Sequence, residues 1–440
     1  MKNSNLQFLK KGIWLYFILL IIEGGLRRWF FPSLATPLLI VRDPLAAYLL
    51  FTAYRYNLFP KHRVIPLMFW IGIISIFTAV FFGHGSLSVA LFGARILLIQ
   101  FPLLFLIGRI FDRSDVIQMG KVILWISIPM AILITLQFYS PQSAWVNRGV
   151  GGDMDGAGFN GANGFYRPPG TFSFITGVSS FFGFVASFVF YFWLQPKYIN
   201  KLVLISATLA LVIAVPTSIS RTLLFEVVIS LLFFLVAKSS KPGFLKNMVQ
   251  LVFGFLVLII VVLSTNRFNT QFDAFTSRFT SANAAEGGLE GVFIDRFLGG
   301  MVGAIIDIDD SHAILGQGIG MGTNVGAQLL SGNLTFLIAE GEWGRVIGES
   351  GILLGLLIIL IRISMTASIS IQSFNFLKKG DALPWMLLSY GFINLIQAQW
   401  AQPTNLGFYV LIGGLILAAL NEPVNELNNE GEYIIENEFN

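Results

Sequence analysis

Long apolar runs broken by short polar turns set the organisation of this chain. Runs at 12–22, 202–215 and 251–263 are nearly free of polar positions, and similar ones recur along most of the 440 residues. A bilayer leaves backbone N–H and C=O groups no water to bond, so such runs cross it as helices of roughly 20 residues. The pattern predicts twelve spans, near 12–26, 36–54, 64–82, 88–108, 121–140, 171–194, 202–219, 222–238, 247–264, 346–363, 384–400 and 404–420. Lys10 and Lys11 precede the first span as in a signal peptide, but no small-residue cleavage site follows. It reads as a retained start-transfer helix. The expected fold class is an all-α polytopic membrane protein.

The polar breaks differ in length, and that divides the chain. Residues 1–264 hold spans one to nine with a glycine-rich loop at 141–170. Residues 265–345 form a large loop, residues 346–420 hold spans ten to twelve, and 421–440 are an acidic tail with six glutamates. The two long loops lie on the same side and are expected to cap the bundle; long loops without regular structure are usually functional or disordered. Within the second, 292–308 is helical in pattern. Phe293, Phe297, Met301 and Ile305 fall on one face, and Arg296, Gly300, Gly303 and Asp307 on another. No internal repeat is visible, which weakens the case for a transporter of inverted halves.

Charge then fixes orientation. With the N-terminus in the cytoplasm, inward segments carry seventeen of the 28 basic residues, among them every lysine and Arg362. The positive-inside rule is met at each inward connection, both termini are expected in the cytoplasm, and the long loops on the outer side. The remaining basic residues are all arginine. Snorkelling to the interface accounts for some, Arg27 and Arg28 first. Arg42, Arg95, Arg167, Arg221 and Arg296 lie within or against apolar runs, where a charge costs roughly 2.5–3.5 kcal/mol and needs a partner or a ligand. Guanidinium forks suit phosphate. With no cysteine, disulfides, thiolate metal sites and a cysteine nucleophile are excluded.

Each candidate motif has a structural and a chemical reading. Gly316–Gly322 reads as a tight turn or a phosphate-cradling loop, without the strand–turn–helix of a dinucleotide fold. Ser218-Ile219-Ser220-Arg221 reads as a capped helix start or an anion site. Arg167-Pro168-Pro169-Gly170-Thr171 leads into span six, with Thr171 a candidate cap. Glu340, Glu342 and Glu349 near Arg345 pair with arginines or supply a general base raised by apolar surroundings. Asp153 with Asp155, and Asp309, Asp310 and His312, have weak spacing for a metal.

In order, Arg167-x-x-Gly170-Thr171-Phe172, Ser220-Arg221, Arg296, Leu315-Gly316-x-Gly318-x-Gly320 and Glu349-x-Gly351 resemble the O-antigen ligase and polymerase superfamily. The resemblance covers about 140–365 and the twelve-span topology. It implies a bacterial inner-membrane glycosyltransferase, metal-independent, without a cofactor and inverting. Such an enzyme polymerises or ligates undecaprenyl-diphosphate-linked oligosaccharides at the periplasmic face. It further implies that Arg221 and Arg296, with Arg167, engage the diphosphate. Many members carry a His-Asn pair where this chain has Glu340-Gly341, so the proton acceptor becomes Glu340 or Glu342.

The expected site is therefore catalytic Glu340, Glu342 and Arg296, with substrate bound by Arg167, Arg221, Arg296 and Arg345. Trp145, Phe159, Phe165 and Trp343 are candidate sugar-stacking groups. Expected partners are the lipid-linked donor, a glycan or lipid-glycan acceptor, the bilayer and other polysaccharide-assembly proteins, with no nucleic acid. The alternative is a transporter or flippase of an anionic lipid or solute, resting on Arg42-Asp43, Arg95 and Glu226. A scaffold in a polysaccharide-export complex is a third reading.

Overall fold

The computed structural model describes residues 2–239, 269–286, 314–332, 337–339 and 341–421. Eleven of the twelve expected spans coincide with helices; span nine lies outside the described residues, as do the 292–308 stretch and the acidic tail beyond Asn421. In chain order the longer helices are α1 (Lys2–Gly25), α2 (Arg42–Arg55), α3 (Val64–Phe81), α4 (Leu87–Ile110), α5 (Arg113–Tyr139), α6 (Thr176–Leu194), α7 (Lys201–Thr217) and α8 (Arg221–Ser239). Then come α9 (Asn269–Glu286), α10 (Asn324–Ser331), α11 (Glu342–Lys378), α12 (Leu383–Gln397) and α13 (Pro403–Leu420). Among the described residues the only strands are β1 (Phe159–Ala162) and β2 (Phe165–Arg167). The described chain is almost wholly helical, a polytopic membrane protein.

Helices α4, α6 and α13 form the interior, and α2 faces outward. Close approach explains the choice of residues there. A Cβ at Gly108 or Gly414 would run into Leu417 or Ile107, so α4 and α13 pack with small residues between their backbones. Phe172, Phe181, Phe184 and Phe408 meet in edge-on and tilted contacts that fill the space between α6 and α13.

One end of the bundle is tied by ion pairs: Lys10 with Asp112 and Asp115, each at 2.6 Å, and Arg113 with Asp381. Described parts of the two long loops meet at the other end, Asn163 of the first bonding Asp273 and Ser277 of the second. Arg362 belongs there too, which corrects its assignment to an inward segment. Helix α11 continues without a breaker to Lys378, so Arg362 stands about 24 Å from that terminus at 1.5 Å per residue. Its guanidinium donates instead to the carbonyls of Leu395 (2.9 Å) and Ala398 (3.1 Å), at the far end of α12.

Candidate functional site

Most membrane-level arginines are consumed internally. Arg42 donates to Glu23 (2.9 Å) and to the Pro403 carbonyl (2.7 Å). Arg95 pairs with Asp43 through Nη1 alone (3.0 Å), its Nε and Nη2 buried without a partner, and Asp43 also accepts from Gln100 (2.6 Å). Arg28 does not snorkel. It is fully buried and donates to the carbonyls of Arg148, Gly170, Phe172 and Val146, clamping the glycine-rich loop onto α1. Arg27 donates to the Ala35 carbonyl and to Ser173. Thr171 is not a cap; its hydroxyl donates to the Ile21 carbonyl at 2.6 Å, and α6 starts later.

Glu342, Arg345, Glu349 and Arg362 form one buried network. Glu342 Oε2 accepts from Arg345 Nε (3.0 Å), and its Oε1 accepts from Arg345 Nη2 (3.0 Å) and Arg362 Nη1 (2.7 Å). Arg345 Nη1 also donates to Glu349 (2.5 Å). A carboxylate whose two oxygens are both held by guanidinium groups is a poor proton acceptor. This geometry speaks against the general-base reading of Glu342 and the substrate-binding reading of Arg345. The cavity beside them has space for a water molecule, not for a sugar.

The Gly316–Gly322 loop is inserted into the bundle and supports this network. Gly351 breaks α11 at φ +76°, which frees the carbonyls one turn earlier. The loop fills them: Gln317 N–H donates to Gly348 (2.8 Å), Gly318 N–H to Glu349 O (3.0 Å), and Gly322 N–H to the Glu349 carboxylate (2.8 Å). Gly318 and Gly320 take φ of +112° and +94°, and Gly320 lies against Gly93 so closely that neither accepts a Cβ. These N–H groups cradle the protein's own Glu349, which favours the structural reading over a phosphate loop.

A second arginine cluster has a different character. Strands β1 and β2 form a hairpin turned by Asn163-Gly164, both at positive φ, with Phe159 opposite Arg167. Phe165 stacks on Phe138 at 4.6 Å, with the rings 3° from parallel, and fixes the hairpin on α5. The Asn163 side chain accepts from Ser277 (2.9 Å) and donates to the Asp273 carbonyl (3.4 Å), docking the hairpin tip on α9. Below them is the elbow between α7 and α8. Ile219 is 1% exposed at φ +48°, a left-handed conformation costly for a β-branched residue. Ser220 Oγ accepts from Leu223 N–H (3.3 Å) and bonds Ser179 (2.7 Å), so the predicted cap is present.

Three half-buried arginines converge from these elements: Arg167 from the hairpin, Arg221 from the first turn of α8, and Arg278 from α9. Burial, then Arg278 and Arg221 nearby, lowers the Arg167 guanidinium to about 10, so it stays charged at neutral pH. Its Nε has no hydrogen-bond partner. A cation at a helix N-terminus, as at Arg221, also opposes the macrodipole, which favours anions there. Burial of the Arg167 guanidinium beside other cations, with its Nε unpaired, carries a local stability cost that an anion would relieve.

That cost is testable. Arg167→Met is expected to raise the thermal midpoint by a few degrees, because it removes a desolvated, repelled cation. Inorganic diphosphate is expected to stabilise the wild type by mass action and to stabilise the variant less. Differential scanning fluorimetry with and without diphosphate checks both; an unchanged or lowered midpoint in the variant would contradict this account.

The structure thus brings Arg167 and Arg221 together, adds Arg278, and places Glu342 and Arg345 in the separate network. Arg296 and Glu340 lie outside the described residues. Arg278 escaped the sequence reading because its stretch is polar overall. Its signal is the spacing Gln271, Ala274, Phe275, Arg278, at i, i+3, i+4 and i+7 on one face. The aromatic candidates separate as well. Trp343 is buried with its indole N–H on the Ile396 carbonyl (3.3 Å) and Phe165 is in the Phe138 stack, while Trp145, stacked on Trp29 at 5.4 Å, and Phe159 remain exposed. Fold and site together define a polytopic membrane protein with a loop-built arginine cluster at one end. Comparison with protein-family models and with curated proteins finds no significant match.

Proposed function

We propose that this protein is a membrane glycosyltransferase that polymerises or ligates undecaprenyl-diphosphate-linked oligosaccharides at the periplasmic face of a bacterial inner membrane. The observation that carries the reading is the convergence of Arg167, Arg221 and Arg278 from three separate elements. A diphosphate offers several anionic oxygens, and planar guanidinium forks match them. In the reaction, the acceptor hydroxyl oxygen attacks the sugar's anomeric carbon from the face opposite the diphosphate. The bond from that carbon to the phosphate oxygen breaks, and the electron pair leaves with the diphosphate. The arginines hold the diphosphate and stabilise the charge that grows on it. The proton of the acceptor hydroxyl passes to a carboxylate. With both oxygens of Glu342 occupied, Glu340 is the remaining candidate of the pair.

Mass spectrometry of lipid-linked glycans from cells lacking the protein tests this. Accumulated single repeat units on the carrier identify a polymerase, and accumulated long chains identify a ligase. If neither accumulates and the surface glycan is unchanged, the reading fails.

One observation favours transport as a second reading. Glu226 packs against Gly183 inside the bundle, with Asn394 (3.4 Å) on one oxygen and no partner on the other. The other residues behind that reading, Arg42, Asp43 and Arg95, are engaged in ion pairs.

A further inference from the structure

Gln271 is the most unusual polar residue at the loop-bearing end. It is 0% exposed, yet neither its amide oxygen nor its amide nitrogen has a hydrogen-bond partner. Leaving buried polar atoms unpaired costs stability, and an apolar side chain of similar size would avoid the cost. Two other buried amides at this end are fully used. Gln137 bonds the Val146 carbonyl and both backbone groups of Gly170, and Asn147 donates to the carbonyls of Gln137, Ser140 and Pro141. Among the described residues Gln271 leaves both a donor and an acceptor unpaired, whereas Gln397 leaves only its Oε1.

Its position indicates what they serve. Gln271 shares the inward face of α9 with Ala274, Phe275 and Arg278. Ala274 packs with Ile219 and Phe138 under the hairpin, and Arg278 joins the arginine cluster. Seven residues separate Gln271 from Arg278, about 10 Å along the helix axis. That offset suits a diphosphate at the arginines with its attached sugar beside the glutamine. A carboxamide presents a donor and an acceptor together, the pattern that pairs with neighbouring hydroxyls of a pyranose. The hydrogen bonds tying α9 to the hairpin are exposed ones from Asn163.

We propose that Gln271 is a specificity-determining residue that reads hydroxyls of the sugar joined to the diphosphate. This inference rests on the glycosyltransferase reading and extends it to the sugar.

The test uses the purified full chain and measures binding of bare undecaprenyl diphosphate and of the same carrier bearing glucose, galactose or N-acetylglucosamine. The wild type is expected to prefer at least one sugar-bearing carrier over the bare one. Gln271→Leu should cut that preference about tenfold, the effect of one or two lost hydrogen bonds, and leave affinity for the bare carrier unchanged. Its thermal midpoint should stay level or rise, which a structural role for the amide would not produce. Gln271→Met, equally long and apolar, carries the same expectation if the leucine variant does not fold. An undiminished preference in either variant overturns the proposal, as does a wild type that prefers none of the three sugars. If the wild type binds no carrier at all, the glycosyltransferase reading falls with it. If Arg278→Lys weakens bare-carrier binding while Gln271→Leu keeps full preference, only the role of Gln271 is lost.

Discussion

Glu342→Gln is expected to prevent accumulation of folded protein. Glu342 lies between two buried guanidinium groups, with Arg345 bound through both oxygens and Arg362 through one. Neutralising it strands positive charge in the bundle, and removing one partner of a buried ion pair costs about 3–5 kcal/mol. Arg345 keeps Glu349 at 2.5 Å, whereas Arg362 is left with the carbonyls of Leu395 and Ala398 and the ring of Trp400, 4.1 Å away. A cation on carbonyl dipoles and a π face alone is poorly compensated, so the damage should centre on the α11–α12 packing. Fluorescence-detected size exclusion of the tagged variant reads the outcome directly. A variant that folds with wild-type stability but loses glycan product would reverse the assignment and restore Glu342 as a proton acceptor.

The same region shows why a sequence reveals spans more readily than sites. Apolar periodicity located every described helix long and apolar enough to cross a membrane, because exclusion of water from lipid forces helix on any such run. It could not show that Gly351 splits α11, since one glycine in an apolar run is consistent with an unbroken helix. Nor could it pair charges far apart in the chain. Arg42 and Glu23, or Arg95 and Asp43, are neighbours only through helix packing. An arginine in a membrane span has the same appearance in sequence whether it meets a carboxylate or a ligand. Five such arginines pointed to an anion; the pairing of Arg42 removes one from that argument, and Arg95 is neutralised by Asp43 while its Nε and Nη2 keep no partner. The Ser220-Arg221 elbow was legible because capping is local. Arg278 was not, since its role depends on a hairpin more than a hundred residues upstream.

Conservative replacement in the arginine cluster separates charge from geometry. Arg221→Lys and Arg278→Lys each keep the positive charge but lose the planar fork. Each is expected to lower product formation about 100- to 1000-fold, the usual cost of removing one preorganised donor from a developing anion. Expression and thermal stability should be close to wild type, since both residues are half-buried at the end of the bundle and outside its apolar core. The double variant should fall short of the product of the two effects, because arginines holding one diphosphate act as a unit. The assay is conversion of lipid-linked donor by purified protein in liposomes. Full activity in both single variants would remove the cluster from catalysis. Loss in one alone would show that the diphosphate sits off centre, toward α8 if Arg221 is the sensitive residue and toward α9 if it is Arg278. An effect confined to KM would mean that the arginines hold donor and transition state equally. A fall in kcat would mean that they act on the charge released as the glycosidic bond breaks.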